Sequence, residues 1–145
     1  MRVDFYQLSR DPAELVVPLL ARASKKAGAK LLVVSNSSEQ LSLIDEKLWE
    51  TAPEAFLAHG IAGGDVDAKQ PILLSKELDA VNGASFLVLA DGHWREPGDA
   101  FERVFYIFGP DTIDEARQTW RALGDRDEIE RRFWKQDGGR WVEGP

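Results

Sequence analysis

The chain has 145 residues, 43% of them hydrophobic and 30% charged, which predicts one folded domain rather than a disordered chain. It contains no cysteine, which excludes a disulfide framework, a thiolate zinc site and a cysteine nucleophile. Its formal net charge of −7 argues against a broad nucleic-acid-binding face, because attraction to phosphates requires an excess of Lys and Arg.

Short apolar segments alternate with helical patterns along the chain. Strands are predicted at five segments, which are residues 3–8, 30–34, 72–74, 85–90 and 103–108. Helices are predicted from Pro12, capped by Asp11, to Gly28, and at residues 38–49, 113–123 and 127–133. This alternation implies a single α/β domain spanning residues 1–145, with three layers and a mainly parallel central sheet that carries helices on both faces.

Sheets of this kind often bind nucleotides, but this sequence lacks the usual motifs. Residues 9–12 follow the first strand and contain no glycine that would let backbone N–H groups approach a phosphate. Neither G-x-x-x-x-G-K-[ST] nor G-x-G-x-x-G occurs, and His59 and His93 do not have the spacing of metal ligands. We therefore expect a Rossmann-like sheet without a phosphate loop, with no catalytic residue, no cofactor and no metal.

An alternative function is that of a small α/β enzyme acting on a nucleotide or a phosphorylated metabolite. Its pocket would lie at the carboxyl ends of the strands, near Ser9, Asn36 and Asp91. Under either hypothesis we expect a cytoplasmic protein that does not enter a membrane. The reason is that the sequence shows no signal peptide and no run of about 20 apolar residues.

Arginine and tryptophan are concentrated near the C-terminus. Residues 113–145 carry seven of the 18 cations, six of them Arg, and three of the five tryptophans. At about 100° per residue, Trp120 lies on the apolar stripe of its helix, and Arg117 and Arg121 lie one turn apart along the flank of that stripe. Two guanidinium groups beside an apolar pocket suit an acidic peptide, including one with a free terminal carboxylate.

The same residues also have a purely structural interpretation. Trp120 would then be a core residue, and Arg117 and Arg121 would pair with neighbouring surface aspartates. Residues 134–141 would form two strands that close over the core.

A second aromatic cluster lies around the end of the helix predicted at residues 38–49. It contains Trp49, Phe56 and Leu57. Aromatic residues are enriched at protein interfaces, so this cluster is a candidate partner surface. The alternative is that these residues cover one edge of the sheet.

Three parts of the chain carry a family resemblance. They are VDFYQL at residues 3–8, IDEKLW followed by FLAHG within residues 44–60, and ARQTWR followed by FWKQD and GRW within residues 116–141. In this order and at this length, they resemble the chi subunit of bacterial DNA polymerase III holoenzyme. The resemblance implies a non-catalytic accessory subunit of a DNA-directed DNA polymerase, a nucleotidyltransferase complex, that acts in DNA replication.

The resemblance also implies partners and sites. A chi subunit links the clamp loader to single-stranded-DNA-binding protein by gripping the acidic C-terminal tail of that protein, which ends in Pro-Phe, and thus reaches DNA only indirectly. By motif, the tail site falls on Arg117, Trp120 and Arg121, with Trp134 and Trp141 near it. The surface for the psi subunit of the clamp loader falls around the second aromatic cluster, at Trp49, Phe56 and Leu57.

Overall fold

An eight-stranded sheet forms the centre of the computed structural model, which describes residues 1–50, 57–137 and 140–144. Its strands are β1 (Arg2–Gln7), β2 (Leu31–Val34), β3 (His59–Ile61), β4 (Ile72–Ser75), β5 (Phe86–Leu89), β6 (Arg103–Phe108), β7 (Glu130–Asp137) and β8 (Arg140–Gly144). The α-helices in these ranges are α1 (Ala13–Lys26), α2 (Ser38–Glu50) and α3 (Ile113–Gly124). Among them, no helix is both long enough and apolar enough to cross a bilayer.

The sheet is mainly parallel, which confirms the predicted fold class. The strand order is β3-β4-β2-β5-β6-β1-β7-β8. Every neighbouring pair is parallel except β7 and β8, which are antiparallel. The pairing of β7 with β8 confirms the two strands expected within residues 134–141.

The helices cover both faces of the sheet, which gives the three layers. Because side chains alternate along a strand, Phe5 of β1 points to the face covered by α3, and Tyr6 points to the opposite face, covered by α1 and α2. We call these the α3 face and the α1–α2 face. The central strand β2 is fully buried, as its continuous apolar run predicted.

The helix predicted at residues 127–133 is wrong, because β7 begins at Glu130. This segment is polar and shows no strong strand propensity. Its backbone nevertheless pairs in parallel with β1, with Arg2 opposite Glu130 and Phe5 opposite Phe133. The tertiary partner therefore decides the conformation. The short strand β3 has only three residues, too few to give a strand pattern in the sequence.

A buried carboxylate joins three strands. Asp4 of β1 is completely buried, and its Oδ1 accepts hydrogen bonds from Nη2 of Arg2 at 2.9 Å and from Nε1 of Trp134 at 3.0 Å. Nε of Arg103, on β6, donates to Oδ2 at 2.8 Å. A buried charge is tolerated only when it is paired and hydrogen-bonded, so these donors on β6 and β7 stabilise the position of β1 between them.

Replacing Trp134 by Phe should reveal the contribution of the indole N–H to this network. The variant keeps an aromatic ring beside Tyr6 and removes one donor to a buried carboxylate, so the free energy of unfolding should fall by about 1.5–3 kcal/mol. Urea denaturation measures this change. Trp49→Phe is the matched control, because the side chain of Trp49 is 64% exposed, and its effect should stay within about 0.5 kcal/mol. Equal losses in the two variants would contradict a structural role for Trp134.

Candidate functional site

A groove opens on the α3 face between α3 and the β7–β8 pair, and its cavity volume is about 370 Å³. Its apolar lining comes from α3 and the neighbouring strands and consists of Phe108, Ile113, Ala116, Trp120 and Phe133. Three cations also line it, which are Arg117 and Arg121 on α3 and Lys135 on β7. We call this cavity the α3 groove.

The helical repeat of α3 and the alternation of β7 create the two walls of the groove. Ile113, Ala116 and Trp120 recur at helical spacing and therefore share one side of α3. On β7, Phe133 and Lys135 are two residues apart and share the α3 face. The apolar stripe predicted on this helix thus faces the first half of β7, where the sequence predicted a helix.

The indole of Trp120 is held on several sides. The rings of Phe5 and Phe133 meet it edge-on, with centroids 5.1 and 5.8 Å away. The guanidinium carbon of Arg131 lies 4.1 Å from the centre of the indole ring, within the range of a cation–π contact. Trp120 is therefore a packed core residue and a groove residue at once, which combines the two interpretations of the sequence.

Arg131 is a supporting residue that sequence reasoning missed. Its Nη1 donates to the backbone oxygen of Trp120, near the end of α3. Gly124 makes room for it, since a Cβ atom there would lie 2.8 Å from the guanidinium carbon of Arg131. In a sequence, a glycine after the last residue of a predicted helix is explained by helix termination, so this second role of Gly124 is not visible there.

The cations of the groove are largely uncompensated. Arg117 lies 3.9 Å from Asp114, but both side chains are exposed, so this ion pair contributes little. Arg121 and Lys135 form no ion pair with any residue that the structure describes. The structure therefore brings Arg117, Trp120 and Arg121 together, as predicted, and adds Lys135 from β7.

Trp134 and Trp141 lie on the opposite side of the sheet from the groove. Trp134 follows Phe133 directly, so it points to the α1–α2 face, and Trp141 shares that face because it pairs with Gln136. Both indoles pack on Tyr6, with centroids 6.4 and 5.1 Å away. The structure therefore does not bring them to Trp120. Burial, reinforced by the negative charge of Asp4, raises the pKa of Tyr6 to about 12.

The second aromatic cluster is only partly accessible. Trp49 is exposed at the end of α2, and its ring lies 4.6 Å from the ring of His59. Leu57 is buried in the core, and its backbone oxygen lies 2.7 Å from Nδ1 of His59. Phe56 lies outside the described residues. Of the predicted partner surface, Trp49 thus offers exposed aromatic area, while Leu57 supports the histidine beneath it.

The loop after β1 is closed by a side chain of the protein itself. The backbone N–H groups of Ser9, Arg10 and Asp11 all donate to Oε1 of Gln136, at 3.1–3.2 Å. Nucleotide-binding α/β sheets hold a phosphate at this place. The predicted cap by Asp11 is wrong, because Pro12 is the N-cap without a side-chain cap bond, and Asp11 instead accepts Nε2–H of Gln136 at 2.7 Å.

Asp91 and the backbone of Asn36, at the carboxyl ends of β5 and β2, are also paired within the protein. Asp91 follows β5 and accepts hydrogen bonds from the backbone N–H of Asn36 at 2.8 Å and from both Nη atoms of Arg95 at 2.8 and 2.9 Å. Burial alone would raise the pKa of the Asp91 carboxyl, but the bonds to Arg95 and Asn36 outweigh burial and lower it. Ser9, Asn36 and Asp91 thus bind other residues of the chain.

Asp91→Asn should destabilise the protein in a pH-dependent way. The folded-state pKa lies below the unfolded one, so the ionised carboxylate stabilises the fold above pH 4 and loses this contribution as the pH falls through the folded pKa. At pH 7, urea denaturation should show a loss of about 2 kcal/mol, which shrinks when the experiment is repeated below pH 4. Asp79→Asn, at an exposed side chain, is the control and should change little at either pH. A loss independent of pH would contradict the ionic role of Asp91.

The sheet and its helices define a three-layer α/β protein, and comparison with known families is more specific. The family described as DNA polymerase III chi subunit, HolC, matches residues 1–130. The chain therefore belongs to the chi-subunit family and is an accessory subunit of DNA polymerase III, with a role in DNA replication. No curated protein matches the sequence significantly. The family match ends at the first residue of β7, so Arg131, Phe133 and Lys135 lie beyond it.

Proposed function

We propose that the protein links the clamp loader to single-stranded-DNA-binding protein by holding the acidic C-terminal tail of that protein in the α3 groove. The observation that carries this proposal is an apolar cavity bordered by three cations, two of which have no carboxylate partner among the described residues. A tail that ends in Pro-Phe would place its terminal ring against Trp120 and its carboxylates beside Arg117 and Arg121.

The chemistry of the groove suits such a peptide in both of its parts. Charge-assisted hydrogen bonds to a guanidinium contribute about 1.5–3 kcal/mol each when partly shielded, and burial of a Phe side chain contributes about as much. The costs of association and of ordering the peptide offset part of this gain. Affinity of the order of micromolar is therefore expected.

This function needs no catalytic residue, cofactor or metal, and it does not require a basic protein. The protein would reach DNA only through the tail of its partner, so its net charge of −7 does not have to favour phosphate binding. We place it in the cytoplasm, where a subunit of the replicative polymerase acts. The alternative of a nucleotide enzyme has no support from the loop after β1 or from Asp91, whose polar groups are paired within the protein.

Arg117→Ala should weaken binding of a peptide with an acidic stretch that ends in Pro-Phe. Loss of a charge-assisted hydrogen bond predicts an affinity about 10- to 100-fold lower, measured by calorimetry or fluorescence anisotropy. Wild-type affinity should fall as salt rises, because exposed charge pairs are screened. Arg22→Ala, on α1 at the other face of the sheet, is the control and should bind like wild type. No binding by the wild type would refute the tether, whereas unchanged affinity of Arg117→Ala would remove only Arg117 from the site.

We further propose that the surface at Trp49, Phe56 and Leu57 faces the psi subunit of the clamp loader. The exposed indole of Trp49 supports this, since it lies against the buried ring of His59, with ring centroids 4.6 Å apart. Exposed aromatic residues on a rigid support are typical of residues that dominate binding energy at interfaces. Leu57 contributes indirectly, because its backbone oxygen contacts Nδ1 of His59, the residue on which Trp49 lies.

Trp49→Ala should separate the two proposed surfaces. If Trp49 is a central contact, the variant should lose about 2 kcal/mol of psi binding, or about 30-fold in affinity, in calorimetry with purified psi subunit. Its affinity for the acidic peptide should not change, because Trp49 belongs to α2 and the groove lies on the α3 face. Arg117→Ala should show the reverse pattern. A variant that loses both activities together would indicate a general folding defect instead of a local contact.

A further inference from the structure

The wall of the α3 groove opposite α3 comes from a part of the chain that lies beyond the family match. Phe133 and Lys135 of β7 and Gly144 of β8 line the groove, whereas the match ends at residue 130.

The position of Lys135 is fixed by its neighbours on β7. Trp134 is bound to buried Asp4 on the α1–α2 face, so the residues on either side of it must face α3. Phe133 packs edge-on against Trp120, and Lys135 stands two residues further along the same face. Lys135 thus lies beside the apolar lining of the groove, on the wall opposite Arg117 and Arg121 of α3.

Lys135 and Arg132 lie on the same strand and are both cations, but only Arg132 is paired with carboxylates of the described residues. Arg132 faces the α1–α2 side and pairs with Glu130 at 3.0 Å and with Glu143 at 3.8 Å. Lys135 is exposed and forms no ion pair with a residue in the described ranges. Arg132 is therefore neutralised by neighbouring carboxylates, whereas Lys135 remains available to an anion in the groove.

The two kinds of cation suit different carboxylates. A guanidinium presents a planar fork that matches one carboxylate in a fixed orientation, and Arg117 and Arg121 lie one turn apart beside Trp120. An ammonium on a flexible stem acts as a point charge and accepts carboxylates in many positions. The fork fits the single terminal carboxylate of a peptide, and the flexible cation fits the variable side chains that precede it.

We propose that Lys135 reads the acidic side chains upstream of the peptide terminus, while Arg117 and Arg121 bind the terminal carboxylate. The bound peptide then crosses the groove from α3 to β7. This inference rests on the proposed function, because it assumes that the α3 groove receives an acidic C-terminal peptide, and it specifies which part of that peptide each wall recognises.

Double-mutant cycles between protein and peptide test this assignment. Three peptides ending in Pro-Phe are compared, which are the acidic peptide, the same peptide with upstream Asp and Glu replaced by Asn and Gln, and the acidic peptide with an amidated terminus. Lys135→Met removes the charge and keeps an apolar stem, Lys135→Arg restores the charge, and Lys26→Met on α1 is the control. Thermal unfolding of each variant verifies that the fold is intact.

The assignment predicts that Lys135→Met lowers the affinity for the acidic peptide about two- to fivefold, as expected for an exposed charge pair. The affinity of Lys135→Met for the amidated peptide should fall by the same factor, and its affinity for the neutralised peptide should equal that of wild type. Lys135→Arg should bind the acidic peptide with wild-type affinity. The inference is overturned if Lys135→Met binds all three peptides like wild type, or if its effect disappears with the amidated peptide instead of the neutralised one. Absence of binding by the wild type would overturn the proposed function as well, so the two failures are distinguishable.

Discussion

The buried carboxylate of Asp4 sets the arrangement on which the candidate site depends. It binds the indole N–H of Trp134 and so selects the face of the sheet to which Trp134 points. Because strand side chains alternate, a slip of one residue would invert the whole of β7. With Trp134 held on the α1–α2 face, Phe133 and Lys135 must face α3, and the groove follows from this register.

The same strand also closes the position that a nucleotide would need. Gln136 shares the face of Trp134, and its side-chain oxygen accepts three backbone N–H groups of the loop after β1. Three donors that would otherwise lie exposed to a phosphate are thereby satisfied inside the protein. β7 thus fills the crevice at the end of β1 with one side chain and lines a groove on the opposite face with others.

The sequence predicted those features that depend on local patterns. The apolar run of β2 predicts a buried strand, and the apolar stripe of α3 predicts the buried side of a helix. The helical spacing also predicts that Arg117, Trp120 and Arg121 lie together. The polar segment that becomes β7 has no such pattern, because its conformation depends on pairing with β1. The conformation of β7 also affects the site, because the family resemblance implies that Trp134 and Trp141 lie near Trp120, whereas β7 and β8 turn both indoles to the opposite face.

Contacts between distant residues were beyond sequence reasoning for the same reason. Arg131 lies 11 residues after Trp120, and nothing in the spacing indicates that its guanidinium stacks on that indole. A side chain at position 124 would displace the guanidinium of Arg131, but a glycine at a helix end is usually explained by termination alone. Contacts such as that of Arg131 with Trp120 become visible only when α3 and β7 are packed together.

The local charge of the groove differs from the charge of the whole chain because the fold pairs its ions unevenly. Arg2 and Arg103 bind Asp4, Arg95 binds Asp91, and Arg126 binds Glu96 and Glu128. These pairs neutralise four arginines within the fold, whereas Arg121 and Lys135 at the groove form no ion pair with a residue that the structure describes. At physiological ionic strength the screening length is about 8 Å, so an anion in the groove responds mainly to these nearest cations and only weakly to the distant acidic surface. An acidic protein can therefore receive an acidic peptide, provided that cations without a carboxylate partner border the apolar cavity.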